Sequence, residues 1–254
     1  MARKRRHSRP KRRRGRFSFL YKILSILLVA AAVIGACVVF FRVNSVEVTG
    51  NVRYTAQEVI AASGIEMGDN LVGLSRSRVS VSIRTELPYV ESVAVQKILP
   101  DGVVLKVTER VASASVASAE GRWLMSSQGK LLEQDNGAIR AIQITGLTAV
   151  GPYAGGMIQV PEEEEVTLGY VKELLAALES HGFLTQCTAL DCTAVTYMTL
   201  DYGIYRLKLP RDMDYDYYLQ LTEKALGSGA IPEGQRGVLD LTVVKGKVYF
   251  RPED

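Results

Sequence analysis

The sequence predicts an α+β protein carried on a single N-terminal transmembrane helix. Three observations predict it. A charge-free apolar run follows a strongly basic arm. The next seventy residues read strand, helix, helix, strand, strand. The remainder is rich in short strands, with two amphipathic helices among them, as expected of a mainly antiparallel β domain with flanking helices.

The charge is segregated. Residues 1–22 carry 11 of the 31 Lys and Arg residues, and no acid precedes Glu47. The remainder, with 20 basic and 27 acidic residues, is net −7. Between arm and body lies ILSILLVAAAVIGACVVFF, Ile23 to Phe41. Nineteen residues rising about 1.5 Å each give roughly 28 Å of helix, enough to span the hydrocarbon core. The basic arm, residues 1–22, is expected on the cytoplasmic side, which places residues 42–254 outside. Against a span, such an arm serves as a topology signal and as a contact for anionic lipid, and nucleic acid is an unlikely partner. Ala30 and Ala32 mimic a signal-peptide cleavage site, and Ile34-Gly35-Ala36-Cys37 resembles a lipoprotein box. Either cut would leave hydrophobic residues at the new terminus, so an uncleaved span is the reading adopted.

Beyond the span, Val46 and Val48 alternate with Glu47 and Thr49 as a half-buried strand, stopped by Gly50-Asn51. Thr55-Ala56-Gln57-Glu58 is a capping box, and Gly64 can end that helix. Ser75 caps a second helix running to Glu86, which Leu87-Pro88 terminates. YVESVAVQKI and VVLKVTER are strands joined by the turn LPDG. The economical way to bury these faces is a three-stranded sheet covered by two helices.

The later elements follow the same logic. RWLMSSQGKLLE reads as a hairpin and AIQITGL as a strand. The four glutamates 162–165 read as a solvated loop, with Thr167 capping LGYVKELLAALESHG. Strands around 196–200 and 204–209 precede the helix of DMDYDYYLQLTEKALGSG. GVLDLTVVKGKVYFRPED closes the chain as two strands around Lys245-Gly246.

Little in the sequence points to chemistry. Ser127-Gln128-Gly129-Lys130 fits the S-x-x-K pattern of penicillin-binding proteins, but it sits in a hairpin turn and has no S-x-N or K-T-G companion. His181 precedes Gly182 at a helix end, where histidine commonly terminates a helix, and so makes a weak partner for a Cys187 thiolate. Cys187 and Cys192 lie where a disulfide is permitted. Their spacing closes a small loop only if the chain turns at Ala189-Leu190-Asp191, which is left open. Two cysteines and His181 make a poor metal set, and adjacent glutamates lack the spacing that wraps calcium. No cofactor is expected.

Four stretches carry a resemblance: FRVNSVEVTGNVRYTAQEVIAASGI, GDNLVGL, LPYVESVAVQKILPDGVVLKVTER and LDLTVVKGKVYF. They resemble the FtsQ/DivIB family of bacterial division proteins. The resemblance implies a POTRA domain over residues 42–110 and a β domain over 111–254. ERVASAS departs from the family, whose members commonly carry a proline soon after the Glu-Arg pair. The resemblance also implies a non-enzymatic divisome scaffold at the septum that binds the bitopic proteins FtsB (DivIC in some bacteria) and FtsL. In the family the partner site falls on the last two strands and the turn between them. Carried onto this chain, the candidates are Val243, Lys245, Gly246, Val248, Tyr249 and Phe250. Family members often have an aromatic or polar residue where Val243 stands. The physical basis is a terminal edge strand with unpaired backbone groups, to which a partner can add a strand. The alternatives are a membrane-anchored cell-wall enzyme and a POTRA-type polypeptide-transport chaperone.

Overall fold

The computed structural model describes residues 17–229, 231 and 234–253. Most of the basic arm, residues 1–16, lies outside them.

Helix α1 spans Phe17–Phe40, longer at its start than the apolar run because Phe17 to Lys22 join it. Its segment Phe19–Phe40 is long and apolar enough to cross a membrane, and none of it is buried in the rest of the protein. The chain passes from α1 into the first domain without a linker. Phe41 packs against that domain's core, and Val43 is fully buried in it.

The first domain has the order β1 (Ser45–Thr49), α2 (Ala56–Ser63), α3 (Arg76–Glu86), β2 (Val90–Ile98), β3 (Gly102–Glu109). The capping box of α2 forms as the sequence predicts. Thr55 Oγ1 accepts from the Glu58 amide while the Glu58 carboxylate accepts from the Thr55 amide, and Gly64 closes the helix in the left-handed region. Ser75 caps α3 by accepting from the Arg78 amide. The sheet order is β1-β3-β2, with β1 parallel and β2 antiparallel to the central strand. Val59, Val79 and Ile83 of the helices close over Val95, Val103, Leu105 and Val107.

The second domain contains β4 (Ala114–Ser118), β5 (Gly121–Met125), β6 (Leu131–Gln134), β7 (Ile142–Ala149), α4 (Glu165–Ser180), β8 (Cys187–Asp191), β9 (Tyr197–Tyr202), β10 (Tyr205–Pro210), α5 (Tyr215–Gly227), β11 (Gly237–Asp240) and β12 (Tyr249–Pro252). Its nine strands form one sheet in the order β12-β11-β10-β9-β8-β7-β4-β5-β6. Antiparallel pairs predominate, but β4–β7, β7–β8 and β10–β11 are parallel, so the sheet is mixed. The helices explain two of these. Parallel neighbours need a long crossover, and α4 supplies it between β7 and β8 as α5 does between β10 and β11. Val171, Leu174, Leu175 and Leu178 of α4 and Tyr218 and Leu219 of α5 join one core with the sheet.

Two local expectations, the Thr167 cap and the loop reading of the glutamates, are corrected, and the open question of Cys187 and Cys192 is answered. Thr167 lies inside α4 rather than at its cap, and its hydroxyl accepts from Arg211 Nη1 at 2.9 Å. The glutamates instead form the entrance to the helix. Glu162–Glu164 make one 3-10 turn and Glu165 begins α4, where their charge opposes the positive end of the helix dipole. Cys187 and Cys192 are both free and buried. The residues between them run straight as β8, so the turn a disulfide required is not made.

A small cluster joins the domains. Tyr89 packs with Ala112, Leu124, Leu132 and Ala141. Beside it Arg53 Nη2 donates to both carboxylate oxygens of Glu133, at 2.7 and 2.9 Å, while its guanidinium lies 4.1 Å from the Tyr89 ring centroid. The Tyr89 hydroxyl donates to the same carboxylate at 2.7 Å. Burial and that carboxylate hold the phenol well above its ordinary range.

Candidate functional site

The two ends of the nine-stranded sheet are finished differently. At the β6 end the edge is covered by a loop. The Leu131 amide donates to Gly156 O, and the Gly155 amide donates back to Leu131 O, both at 2.8 Å. At the other end β12 pairs with β11, and among the described residues no strand lies on its second side. A sheet edge of this kind displays unpaired N–H and C=O groups.

The register shows which groups those are. β12 runs antiparallel to β11, with Val238 opposite Arg251 and Asp240 opposite Tyr249. Just beyond, the Glu253 amide donates to Arg236 O at 3.1 Å. Bonded and non-bonded pairs alternate along an antiparallel ladder. The backbone groups of Tyr249 and Arg251 therefore turn inward to β11, and those of Phe250 turn outward to solvent. Pro252, with no N–H, falls at another outward position and offers only its carbonyl. Continued one step back, the same alternation turns the Val248 N–H outward.

Side chains fix this strand in place. The Phe250 ring lies over Gly237, where even a Cβ would come within 2.5 Å of it, and meets Tyr205 edge-on at 6.4 Å. Val248 packs on the same core, whereas Tyr249 is exposed. Beneath the hairpin Asp240 is buried. Its Oδ1 accepts from the Thr242 amide at 2.9 Å and the Thr242 hydroxyl at 2.6 Å, and its Oδ2 faces Arg251 Nη2 at 3.4 Å and Lys208 Nζ at 4.0 Å. Burial pushes this carboxyl upward. Thr242, Lys208 and Arg251 more than offset that and hold it below the usual range.

The turn between the strands carries Val243, Lys245 and Gly246. Val243 and Lys245 are exposed, and Gly246 has φ 78°. An open groove of about 520 Å³ runs beside it, lined by Met213, Tyr217, Tyr218, Leu241, Thr242 and Lys245. Of the six predicted residues, Tyr249 and Phe250 thus lie on the edge strand itself. Val248 leads into it, and the other three form the adjoining turn. Asp240, Arg251 and Gly237 escaped the sequence reading. Asp240 followed two residues later by a threonine is a recognisable side-chain-to-backbone turn and could have been found.

The residues that raised the question of chemistry are committed elsewhere. The Ser127 hydroxyl donates to Glu179, and Lys130 Nζ reaches Arg84 O at 3.4 Å. Gly129 has φ 83° in the turn between β5 and β6. His181 ends α4 and pairs with Asp216 at 3.0 Å. Burial pushes the Cys187 thiol up to about 12. Among the described residues no cluster of three or more His, Cys, Asp or Glu side chains is placed to hold a metal ion.

Residues 41–110 match the model of the POTRA domain, FtsQ-type. The chain is 28% identical over 127 residues to the cell division protein FtsQ of Corynebacterium glutamicum, covering 49% of this chain and 57% of that one. It is 39% identical over 89 residues to FtsQ of Streptomyces venezuelae, covering 34% and 33%. It is 27% identical over 111 residues to the cell division protein DivIB of Clostridium acetobutylicum, covering 43% and 44%. These likenesses are to cell division proteins named FtsQ and DivIB, and the family-model match is to residues 41–110. The matched stretches span about half the length of these relatives or less. In this chain the matched POTRA domain stands between an apolar helix long enough to cross a membrane and a mixed β domain whose last strand has, among the described residues, no neighbour on its second side.

Proposed function

We propose that this chain is a non-enzymatic scaffold of the division machinery that captures a bitopic partner of the FtsB/DivIC type, and with it an FtsL-like protein, by strand addition to β12. In this reading the basic arm is cytoplasmic, both domains are outside, and the protein works at the septum. One observation supports it: among the described residues the sheet ends on β12, with the backbone groups of Phe250 turned outward, where an incoming strand could pair. The exposed turn at Val243 and Lys245 and the neighbouring groove offer the partner side-chain contacts beyond the strand.

Co-purification of the full chain with FtsB/DivIC- and FtsL-like proteins tests this. Val248→Pro removes an outward donor without touching the ladder to β11, so it should weaken capture while the protein stays folded. Undiminished capture by a folded Val248→Pro protein would take β12 out of the site. Depletion should leave cells elongating without septa. Normal division with altered wall cross-links, or hydrolysis of peptidoglycan by the purified protein, would contradict the scaffold reading.

A further inference from the structure

A second exposed surface lies around the point where α1 enters the POTRA domain. Two loops converge there. The loop before α3 is tied to the anchor's exit by three backbone bonds. The Leu71 amide donates to Phe41 O at 2.9 Å, the Val43 amide to Asp69 O at 2.8 Å, and the Gly68 amide to Val43 O at 2.8 Å. Asn70 reaches further down, its Nδ2 donating to Val38 O in the last turn of α1 at 3.4 Å. The turn between β2 and β3 is held just as closely, because the Asn44 and Ser45 amides both donate to Asp101 O. Lys97 Nζ bridges the two loops by donating to Val72 O at 3.1 Å.

These loops expose large apolar side chains together. Met67 is 65% exposed, Val72 60%, Ile98 51% and Leu99 65%, with Arg42 and Lys97 beside them. The height of the cluster follows from the anchor. With Lys22 at the inner boundary, the nineteen apolar residues to Phe41 rise about 28 Å, which a hydrocarbon core of about 30 Å uses up entirely. With Lys22 taken as the inner boundary, Phe41 falls at the outer one. The headgroup layer beyond it is only about 5–7 Å deep. On that placement, loops hydrogen-bonded to Val38, Phe41 and Val43 come within reach of that layer.

We propose that this end of the POTRA domain is a lipid-docking surface. It seats Met67, Val72, Ile98 and Leu99 at the headgroup–acyl boundary of the leaflet from which α1 emerges, with Arg42 and Lys97 at phosphate level. Exposed apolar side chains with Arg42 and Lys97 beside them are suited to that boundary, where the stems bury and the charges stay wet, and the acids of the same loops, Glu66, Asp69 and Asp101, would have to stay on the aqueous side. The contact fixes the tilt of the POTRA domain on its anchor and so the direction in which the β domain projects. It rests on α1 spanning the bilayer and is independent of the β12 site.

The test uses the full chain in lipid nanodiscs containing no other protein. An environment-sensitive fluorophore is attached at Val72→Cys or Leu99→Cys, each in a Cys37→Ala background. Cys187 and Cys192 are 1% and 3% exposed and stay unlabelled. Val195→Cys, on the far domain, is the aqueous control, and native Cys37 is the control within the span. Lipids carrying a spin label near the headgroup should quench positions 72 and 99 and leave 195 bright. Emission at 72 and 99 as unquenched as at 195, with Cys37 quenched, would overturn the docking surface. An unquenched Cys37 would overturn the span and the docking with it. Shielding at 72 and 99 that appears only after a bitopic protein is added would assign the surface to protein and overturn the lipid assignment.

Discussion

Gly237→Ala tests the placement of the edge strand. Gly237 begins β11 opposite Pro252 of β12. An added Cβ would lie 2.5 and 2.8 Å from two atoms of the Phe250 ring and also against the Arg251 carbonyl. Side-chain carbons essentially never sit closer than 3.0 Å to such neighbours, so β12 must retreat by about half an ångström. The ring cannot rotate away freely, because it is held between Gly237 and Tyr205. Overpacking of this kind costs about 1–3 kcal/mol, and the backbone carbonyl on one side argues for the upper half of that range. Because β12 pairs on one side only, the cost falls on the β11–β12 pairing. A penalty of about 2 kcal/mol makes local opening roughly thirtyfold more frequent. Native-state amide exchange reads this directly. Tyr249 and Arg251, whose amides face β11, should exchange roughly thirty times faster, while Leu105 and Val107 of the POTRA domain are unchanged. Partner capture should fall in parallel. Unchanged exchange at Tyr249 and Arg251 would refute the β11–β12 register and the outward assignment of Phe250.

Three further outcomes are expected. Glu133→Gln should lower stability by about 1–2 kcal/mol in denaturant unfolding, mostly through the Tyr89 hydroxyl. Its double-mutant coupling to Arg53→Ala should stay under about 1 kcal/mol, because both side chains are more than a third exposed. The depressed Asp240 carboxyl gives a signed pH dependence. Its contribution is fully present above the ordinary aspartate value of about 4 and is lost as pH falls through the lower folded value. Amide exchange in residues 237–252, corrected for intrinsic rates, should therefore be flat from pH 7 to 5. It should accelerate below about pH 4, and less so in Asp240→Asn. Finally, Cys187 and Cys192 should resist alkylation at pH 8 in the folded protein and react on unfolding, since burial pushes both thiols up to about 12. Non-reducing mass analysis should show no Cys187–Cys192 bond.

The POTRA domain was legible because its signals are local. Thr55 with Glu58, Gly64, Ser75 and Leu87-Pro88 mark helix ends by short-range chemistry, and the alternating valines mark strands. The mixed β sheet was less so. Strand direction is set by crossovers, and nothing inside GVLD or AIQITGL says that a helix will return the chain parallel to its neighbour. Thr167 misled because a threonine before an apolar stripe has the look of a cap, while the true entry is the acidic turn that reads as loop. Cys187 and Cys192 were undecidable from spacing, which does not reveal that the chain between them runs straight as β8. At the candidate site the turn and last strand were found. Gly237 was not, because its role comes from a close approach that only the folded hairpin creates, and of Asp240 only the turn with Thr242 was within reach of the sequence, not its pairing with Lys208 and Arg251.

The Phe250 amide tests capture by strand addition most directly. Its exchange rate should be measured in the membrane-embedded full chain, alone and with an FtsB/DivIC-like partner. The free protein should show fast exchange at Phe250 beside slower exchange at Tyr249 and Arg251, and the partner should bring Phe250 under protection. A bound partner that leaves the Phe250 amide exchanging as before would contradict capture by strand addition.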